Sequence, residues 1–404
     1  MDKKVFALMK QRYGKFVLIA ALLIVLFYIF SATNFIGNWQ SNHEYYFSKD
    51  FSEYYQPNDN IETSFDEQGN ILSEEPTSLE DYRDQQLYVF ARGNGYSYSE
   101  GLYERDYRAS GEYYYNSFRP LELNGMIFLA LGFLLFFVDL KTSFNTFLFS
   151  SGISRKKIFM GKLLTVALPI LIVFIMATLI QLAIISLNIP DPYFNSELGP
   201  LLSSLISTWA LAFLNLIMGI FIGILTGNLI LGPLTVLVYG TMFLGIPELL
   251  NNLQLLIYGV TEVIPIDFSS YFNFGLAKQT NPVLLPVVLI LLGCLFIFLA
   301  VKAFQKVSLE NNGHFLLVPK WRLPIFIFMA LYANLIVSFL VSPPLLNYQY
   351  TVAFYEPNAS LLPYVVQLII QLVIVTLICG LLVYSDTLIQ RLQERREKKI
   401  AKLG

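Results

Sequence analysis

The sequence predicts an all-α, polytopic membrane protein: a helical bundle of about eight transmembrane helices, with a small extracellular α+β domain between helices 1 and 2. Three observations carry this. The 404 residues are 55% hydrophobic and only 14% charged, with a mean hydropathy of +0.56, whereas a soluble domain carries about a quarter charged residues. The apolar residues gather into runs that approach the roughly 20 residues needed to cross a hydrocarbon core of about 30 Å. Lys and Arg are spread very unevenly among the segments between those runs. Backbone in lipid must satisfy its own polar groups, and no period-2 pattern competes with the runs, so helices are expected rather than a barrel.

Residues 1–15 form a basic N-terminal segment, followed by the first run, Phe16–Ile36. That run is too long for the apolar part of a signal peptide, and Phe30-Ser31-Ala32 is a poor cleavage site because Phe30 is bulky. An uncleaved helix is therefore expected. Seven further runs follow: Met126–Leu140, beginning near Leu121, then Leu163–Leu187, Leu201–Leu225, Leu229–Ile246, Val283–Ala303, Leu323–Val341 and Leu361–Tyr384. In domain terms, 123–303 holds helices 2–6, 304–322 is a connecting loop, 323–385 holds helices 7 and 8, and 386–404 is a charged C-terminal helix. Glu394 and Lys398 support that last helix as an i,i+4 pair.

Charge orients the bundle. With both termini in the cytoplasm, the inward segments hold 5 bases in 1–15, 5 in 141–162, 4 in 302–322 and 6 in the C-terminal tail. The outward segments hold 6 in 37–122, plus Lys278. This is a strong positive-inside bias. Acids do the reverse, with 17 of the 29 in 37–122. The expected location is thus a cell membrane, multi-pass, with 37–122 extracellular.

Segment 37–122 also holds 13 of the 25 tyrosines. Its first half, 50–84, is acidic and poor in aliphatics, a composition compatible with partial disorder. Gln86–Ala91 reads as a strand, followed by a turn at Gly93-Asn94-Gly95. Two readings of its aromatics stand open: a surface for substrate or partner, and a cap resting on the bundle. Pro247–Pro282 contains two apolar stretches too short to cross, which read as re-entrant or interfacial helices.

Several chemistries lack their residues. There is no phosphate-binding Gly-x-x-x-x-Gly-Lys-Ser/Thr, no His-Glu-x-x-His and no Cys-x-x-Cys. The two histidines, His43 and His314, are expected on opposite sides of the membrane. Cys294 and Cys379 lie inside spans and read as packing residues. Neither a catalytic centre nor a metal or cofactor site is expected, nor a nucleic-acid partner. Embedded charge is nearly confined to Asp139 near the end of span two, beside Lys141, which argues against an ion-coupled carrier. The deep polar residues are Gln181, Asn215, Asn334, Gln367 and Gln371. They read as interhelical hydrogen-bonding groups or as polar points on a pathway. Gly219, Gly223 and Gly227 recur every fourth residue on span four, a pattern that permits close helix packing within the chain or across a dimer.

The most informative stretch is Phe147–Leu163, between spans two and three. Ser154 suits an N-cap, yet Arg155, Lys156 and Lys157 then occupy the first turn, where cations oppose the helix dipole by about 0.3–1 kcal/mol each. Something outside the helix must favour them: anionic lipid or an acidic groove on a partner. Ile153, Ile158, Phe159 and Met160 interleave an apolar surface with those bases.

Ser154-Arg155-Lys156-Lys157-Ile158-Phe159-Met160-Gly161-Lys162-Leu163 resembles the short cytoplasmic segment of ABC-2-type transporter permeases, in which a Ser-Arg pair precedes Gly-Lys-Leu by some five residues. Ser154, Arg155, Gly161 and Lys162 match that pattern, while Gly152 stands where a proline is common. The layout is similar too: short re-entrant helices after span five, and in some branches an external domain after span one. The family core has six spans, so two are extra here, and 310–320 resembles Gram-positive permeases with C-terminal extensions. The resemblance implies that 152–162 is a coupling helix. Ile153, Ser154, Arg155, Lys156, Lys157, Ile158, Phe159 and Lys162 would dock a separate ABC ATPase subunit, which binds ATP and Mg. A second permease subunit would complete the pathway in the lipid bilayer. Export of an amphipathic substrate and mechanical signalling through 37–122 are the two functions this implies.

Overall fold

The computed structural model describes residues 3–56, 61–65, 71–76, 78–92, 96–99, 102–105, 113–115, 120–142, 144–191, 193–194, 198–260, 284–308, 310, 313–389, 391 and 393. Among the described residues, six helical stretches are long and apolar enough to cross a membrane: Lys4–Tyr46, Arg155–Asn188, Leu205–Leu225, Leu284–Lys306, Pro319–Phe354 and Leu362–Val383. A seventh is counted if the pair Gly125–Lys141 and Phe144–Ser150, bent by 73°, is one span. The expected fifth span, Leu229–Ile246, is instead a 14-residue helix, Leu231–Leu244. At 1.5 Å per residue it reaches about 21 Å, short of a hydrocarbon core. The chain divides into two compact units.

The first unit comprises 1–124, 160–213 and 273–290. Its axis is α1, Lys3–Tyr46, a single helix of 44 residues. Segment 37–122 continues with α2 (Lys49–Tyr54), β1 (Ile61–Phe65), β2 (Ile71–Pro76), α3 (Leu79–Leu87), β3 (Phe90–Arg92), β4 (Tyr96–Ser99), β5 (Leu102–Arg105) and β6 (Tyr113–Tyr115). The strands form a four-stranded sheet in the order β2-β1-β5-β4 and a β3–β6 pair; each described pairing is antiparallel. Acidic 50–84 therefore carries regular structure in its described parts. Gln86 and Leu87, expected in a strand, end α3 instead. Ser78 caps that helix by accepting from the Asp81 N–H at 3.0 Å, and Glu80 and Asp81 sit in its first turn, where the dipole favours acids. The expected turn at 93–95 lies outside the described residues.

α1 packs on α7, Leu168–Asn188, which follows a π-helical turn at Leu163–Ala167. Tyr28 meets Phe174 edge-on at 5.9 Å. Ala32 and Phe35 join Val89, Ile185, Ile189, Leu201 and Leu205 in one buried cluster. Two bonds hold α3 against the end of α1, and a third ties Val89 to the stretch that follows α7. Trp39 Nε1 donates to the Leu87 carbonyl at 2.8 Å, Arg83 Nε to the Tyr46 carbonyl at 2.6 Å, and the Val89 N–H to the Tyr193 carbonyl at 2.9 Å.

The second unit comprises 125–159, 214–272 and 291–404. Its helices are most of α4 (Pro120–Lys141), α5 (Phe144–Ser150), the C-terminal part of α8 (Leu198–Leu225), α9 (Leu231–Leu244), α10 (Ile246–Tyr258), most of α11 (Leu284–Lys306), α12 (Arg322–Ile336), α13 (Pro344–Phe354) and α14 (Leu362–Val383). α10 occupies the start of the expected re-entrant segment 247–282; residues 261–283 lie outside the described residues. Glycine spacing sets the α4–α8 contact. A Cβ on Gly219 would overlap the Leu129 carbonyl, one on Gly132 the Leu216 carbonyl, and one on Gly223 would lie 2.5 Å from the Phe133 carbonyl. The stripe is therefore used within the chain. Gly227, its last member, meets the loop 313–318: its N–H donates to the Phe315 carbonyl at 3.2 Å, beside an antiparallel bridge from Thr226 to Leu316. Phe315, Leu316, Leu317 and Val318 are buried there. The Asp386 carboxylate accepts from the Phe315 N–H at 3.1 Å and lies 3.2 Å from His314 Nδ1. The Glu394–Lys398 pair is outside the described residues.

Candidate functional site

The segment 147–163 folds as two short helices with a sharp junction. α5 ends at Ser150, and Gly152 adopts φ 70°, a left-handed conformation that glycine reaches without the penalty a side chain brings. α6, Arg155–Lys162, starts beyond it; the Ser154 carbonyl accepts the Ile158 N–H at 3.1 Å. The division between the two units falls within this helix, after Phe159.

The predicted docking residues separate into two groups. Ser154, Lys156 and Lys157 are exposed, and Ile153 is half-buried. Ile158, Phe159 and Lys162 face the protein interior. Ile158 and Lys162 are 0% exposed, and Phe159 lies 5.4 Å from the ring of Phe136 and 6.1 Å from that of Phe304. The Lys162 ammonium sits 5.8 Å from the Tyr13 ring centroid. A Cβ on Gly161 would come within 2.6 Å of Val5 Cγ1, so glycine permits the close approach of α1.

Arg155 has a different role from its neighbours. Its guanidinium donates to the carbonyls of Gln305 at 2.9 Å and Val307 at 2.7 Å, and stacks 4.3 Å above the Phe149 ring. Those carbonyls end α11, where the backbone lacks partners and the dipole is negative. The cation that opposes the dipole of its own helix thus serves the end of another. Sequence reasoning placed Arg155 on a docking face because its partners lie some 150 positions away. Phe147, 54% exposed on α5, was not among the predicted site residues. Its signal was the spacing Phe147, Ser150, Ser151, which puts it on one face with exposed serines.

The five deep amides do not converge on one place. Gln181 in the first unit donates to Ser31 Oγ at 3.0 Å, a buried pair between α7 and α1. Asn215 is buried on α8 beside Gly125 of α4. Asn334 donates to the Ala330 carbonyl at 2.8 Å and to Thr376 Oγ1 at 3.0 Å. Gln367 and Gln371 both reach Ser342, the first through Oγ at 3.2 Å, the second through the carbonyl at 3.3 Å.

Among the described residues, no group of three or more His, Cys, Asp or Glu side chains is placed to hold a metal ion. One end of the first unit gathers aromatics. Trp39, His43 and Phe47 follow one face of α1, and Tyr193 lies 5.6 Å from Trp39. Burial raises the Tyr193 phenol above its ordinary pKa, with the Asp84 carboxylate adding to the effect. Comparison of the chain with protein-family models, with curated proteins and with solved structures returns no match.

Proposed function

We propose that this chain is the membrane subunit of an ATP-driven, ABC-type exporter of an amphipathic molecule: a lipid, a peptide antibiotic or a cell-wall-related compound. In this reading the termini and α5–α6 are cytoplasmic and 37–122 is an extracellular α+β cap. The bilayer is crossed about eight times: by six long helices, the bent pair α4–α5, and α9, whose shortfall a locally thinned bilayer would accommodate. The chain does no covalent chemistry. Separate ATPase subunits bind ATP and Mg, and a second permease subunit, identical or a sister protein, completes the pathway.

The observation that carries this proposal is the α5–α6 junction. It presents Phe147 of α5 and Lys156 and Lys157 of α6 outward, while Ile158 and Phe159 of α6 are buried. An exposed basic and aromatic edge on a buried anchor suits transmission of force from a docked partner, because the edge cannot yield without moving what lies beneath it. The similarity of Ser154-Arg155 and Gly161-Lys162 to the coupling segment of ABC-2-type permeases gives the partner's class. The test is copurification with an ABC ATPase encoded beside this chain. Lys156→Glu with Lys157→Glu should abolish ATPase retention and leave the melting temperature of the permease unchanged. Arg155→Ala should lower that melting temperature, since it strips the end of α11, at a cost of about 1–3 kcal/mol. Normal ATPase retention by the double lysine variant would sink the docking assignment.

A second reading is favoured by one feature. α1 runs unbroken from Val5, beneath Gly161, to Tyr46, which accepts from Arg83 of α3. A rigid helix of about 66 Å could carry ATPase-driven strain to 37–122 with nothing crossing the bilayer. Deleting 50–84 separates the two: a mechanical signalling complex loses its output, whereas an exporter keeps part of its transport.

A further inference from the structure

The stretch Pro319–Phe354 is apolar enough to cross a membrane, yet it is broken in its middle. α12 runs into a π-helical turn at Val337–Val341, then Ser342, then Pro343 and Pro344 at the start of α13. Proline has no N–H, so the Phe339 carbonyl loses its i+4 donor at Pro343. In a membrane such a group must be satisfied by the protein. Asn252 of α10 does so, donating Nδ2 to the Phe339 carbonyl at 2.7 Å. Gln371 and Gln367 of α14 donate to Ser342, and Gln349 donates to the Leu256 carbonyl at 2.9 Å.

These bonds fix which way the amides point. A flipped Gln371, Gln349 or Asn334 would set its oxygen against a backbone carbonyl, so each keeps its NH₂ on the backbone and turns its oxygen away. Asn334 Oδ1, Gln371 Oε1 and Gln349 Oε1 are then buried acceptors with no hydrogen-bond partner among the described residues, and Ser338 Oγ is a fourth. Ser338, in the π-helical turn, is 6% exposed and stands one turn beyond Asn334 of α12. A buried acceptor without a donor costs about 1–3 kcal/mol. Asn334, Ser338 and Gln371 lie along the contact of α12 and its π-helical turn with α14, and a guest rich in donors would satisfy them.

The polar groups on this contact reach the surface. Gln367 is exposed on α14 among Val366, Ile369 and Ile370, which are 46–54% exposed. From Gln367 the polar groups run inward through half-buried Gln371 and Ser342 to buried Ser338. An exposed amide on an otherwise apolar face is the opening of such a track, and its apolar margins suit acyl chains. The predicted spans hold almost no acid or base, so nothing here would compensate a phosphate or a lone ammonium.

We infer that the break in Pro319–Phe354 is a recognition site for an uncharged, hydroxyl-bearing lipid headgroup, entered from the bilayer beside Gln367. The inference rests on the exporter reading above for its biological sense: it assigns the substrate class as a neutral polyol or glycosyl lipid.

The test uses the purified full chain without any ATPase, so its failure leaves the docking proposal untouched. Lipid retention is measured by native mass spectrometry with three added probes. These are monoglucosyl diacylglycerol, which is neutral with hydroxyl donors, phosphatidylethanolamine, which is zwitterionic with ammonium donors, and phosphatidylcholine, which has no donor. The glucosyl lipid should be retained about fivefold or more over phosphatidylcholine, the worth of one hydrogen bond or more, and also over phosphatidylethanolamine. Ser338→Ala and Gln371→Leu should each bring that ratio towards one. Equal retention of all three lipids overturns the inference, and so does a preference for phosphatidylethanolamine. Variants that change the oligomeric state while the glucosyl preference stays would make the track a subunit contact and overturn it as well. The comparison among lipids on the unaltered chain decides the matter even where a variant fails to fold.

Discussion

α8 and α14 are both apolar enough to cross a membrane, yet they are used in opposite ways. In the most apolar window of Leu205–Leu225, 83% of the residues are buried; in that of Leu362–Val383 the share is 6%. Hydropathy does not separate them, because lipid and protein interior are equally apolar and neither draws a Leu from the other. Glycine does. On α8, Gly219 and Gly223 press on backbone atoms of α4. On α14, Gly380 has among the described residues only the edge of Phe326 in reach, at 3.5 Å from a would-be Cβ, an ordinary contact. Side-chain-free stripes, rather than apolar ones, mark the helix that forms the core of a bundle in lipid.

Three substitutions test that contrast, each read by thermal unfolding in detergent. Gly219→Ala should have the largest effect, a destabilisation of about 3 kcal/mol or more, since the new methyl meets the Leu129 carbonyl and only a helix displacement relieves it. An unchanged melting temperature would mean that α4 and α8 are not in backbone contact. Gly223→Ala should cost less, about 1–3 kcal/mol, because its nearest neighbour, the Phe133 carbonyl, is 2.5 Å away. Gly380→Ala should be neutral or stabilise by roughly 0.5–1 kcal/mol, through helix propensity and a stiffer unfolded chain. Equal losses at Gly219 and Gly380 would break the comparison.

Inside α6 the same contrast recurs at the scale of single residues. Lys156 and Lys157 are exposed, whereas Arg155 caps α11 and Lys162 is buried over Tyr13. The run of bases was legible in the sequence, and so was the puzzle of cations at a helix start. The answer for Arg155 was not, because a helix C-terminus at Gln305 and Val307 leaves no local trace near position 155. Gln86 and Leu87 were misread for a related reason: their alternation suits a strand, but the cap at Ser78 lies eight residues upstream and starts a helix that runs through them. Leu229–Ile246 reads as a full span because its apolar run is 18 residues long. The structure ends the helix at Leu244, and Gly245 precedes a second helix that begins at Ile246 with Pro247 in its first turn.

What the sequence determined by itself is the solvent and the ordering of parts. Long apolar runs require lipid or a core, and the clustering of 17 acids in 37–122 against bases elsewhere sets an expected polarity. These are properties of composition along the chain, so no contact is needed to read them. The tertiary structure alone decided which polar groups are spent on holding the fold and which are left over. Asn252 met a carbonyl freed by Pro343, Gln371 turned its oxygen inward, and Arg155 found the end of α11. A hydrogen bond acts over about 3 Å, and Arg155 and Gln305, that close in space, are 150 apart in sequence, which no local pattern can encode.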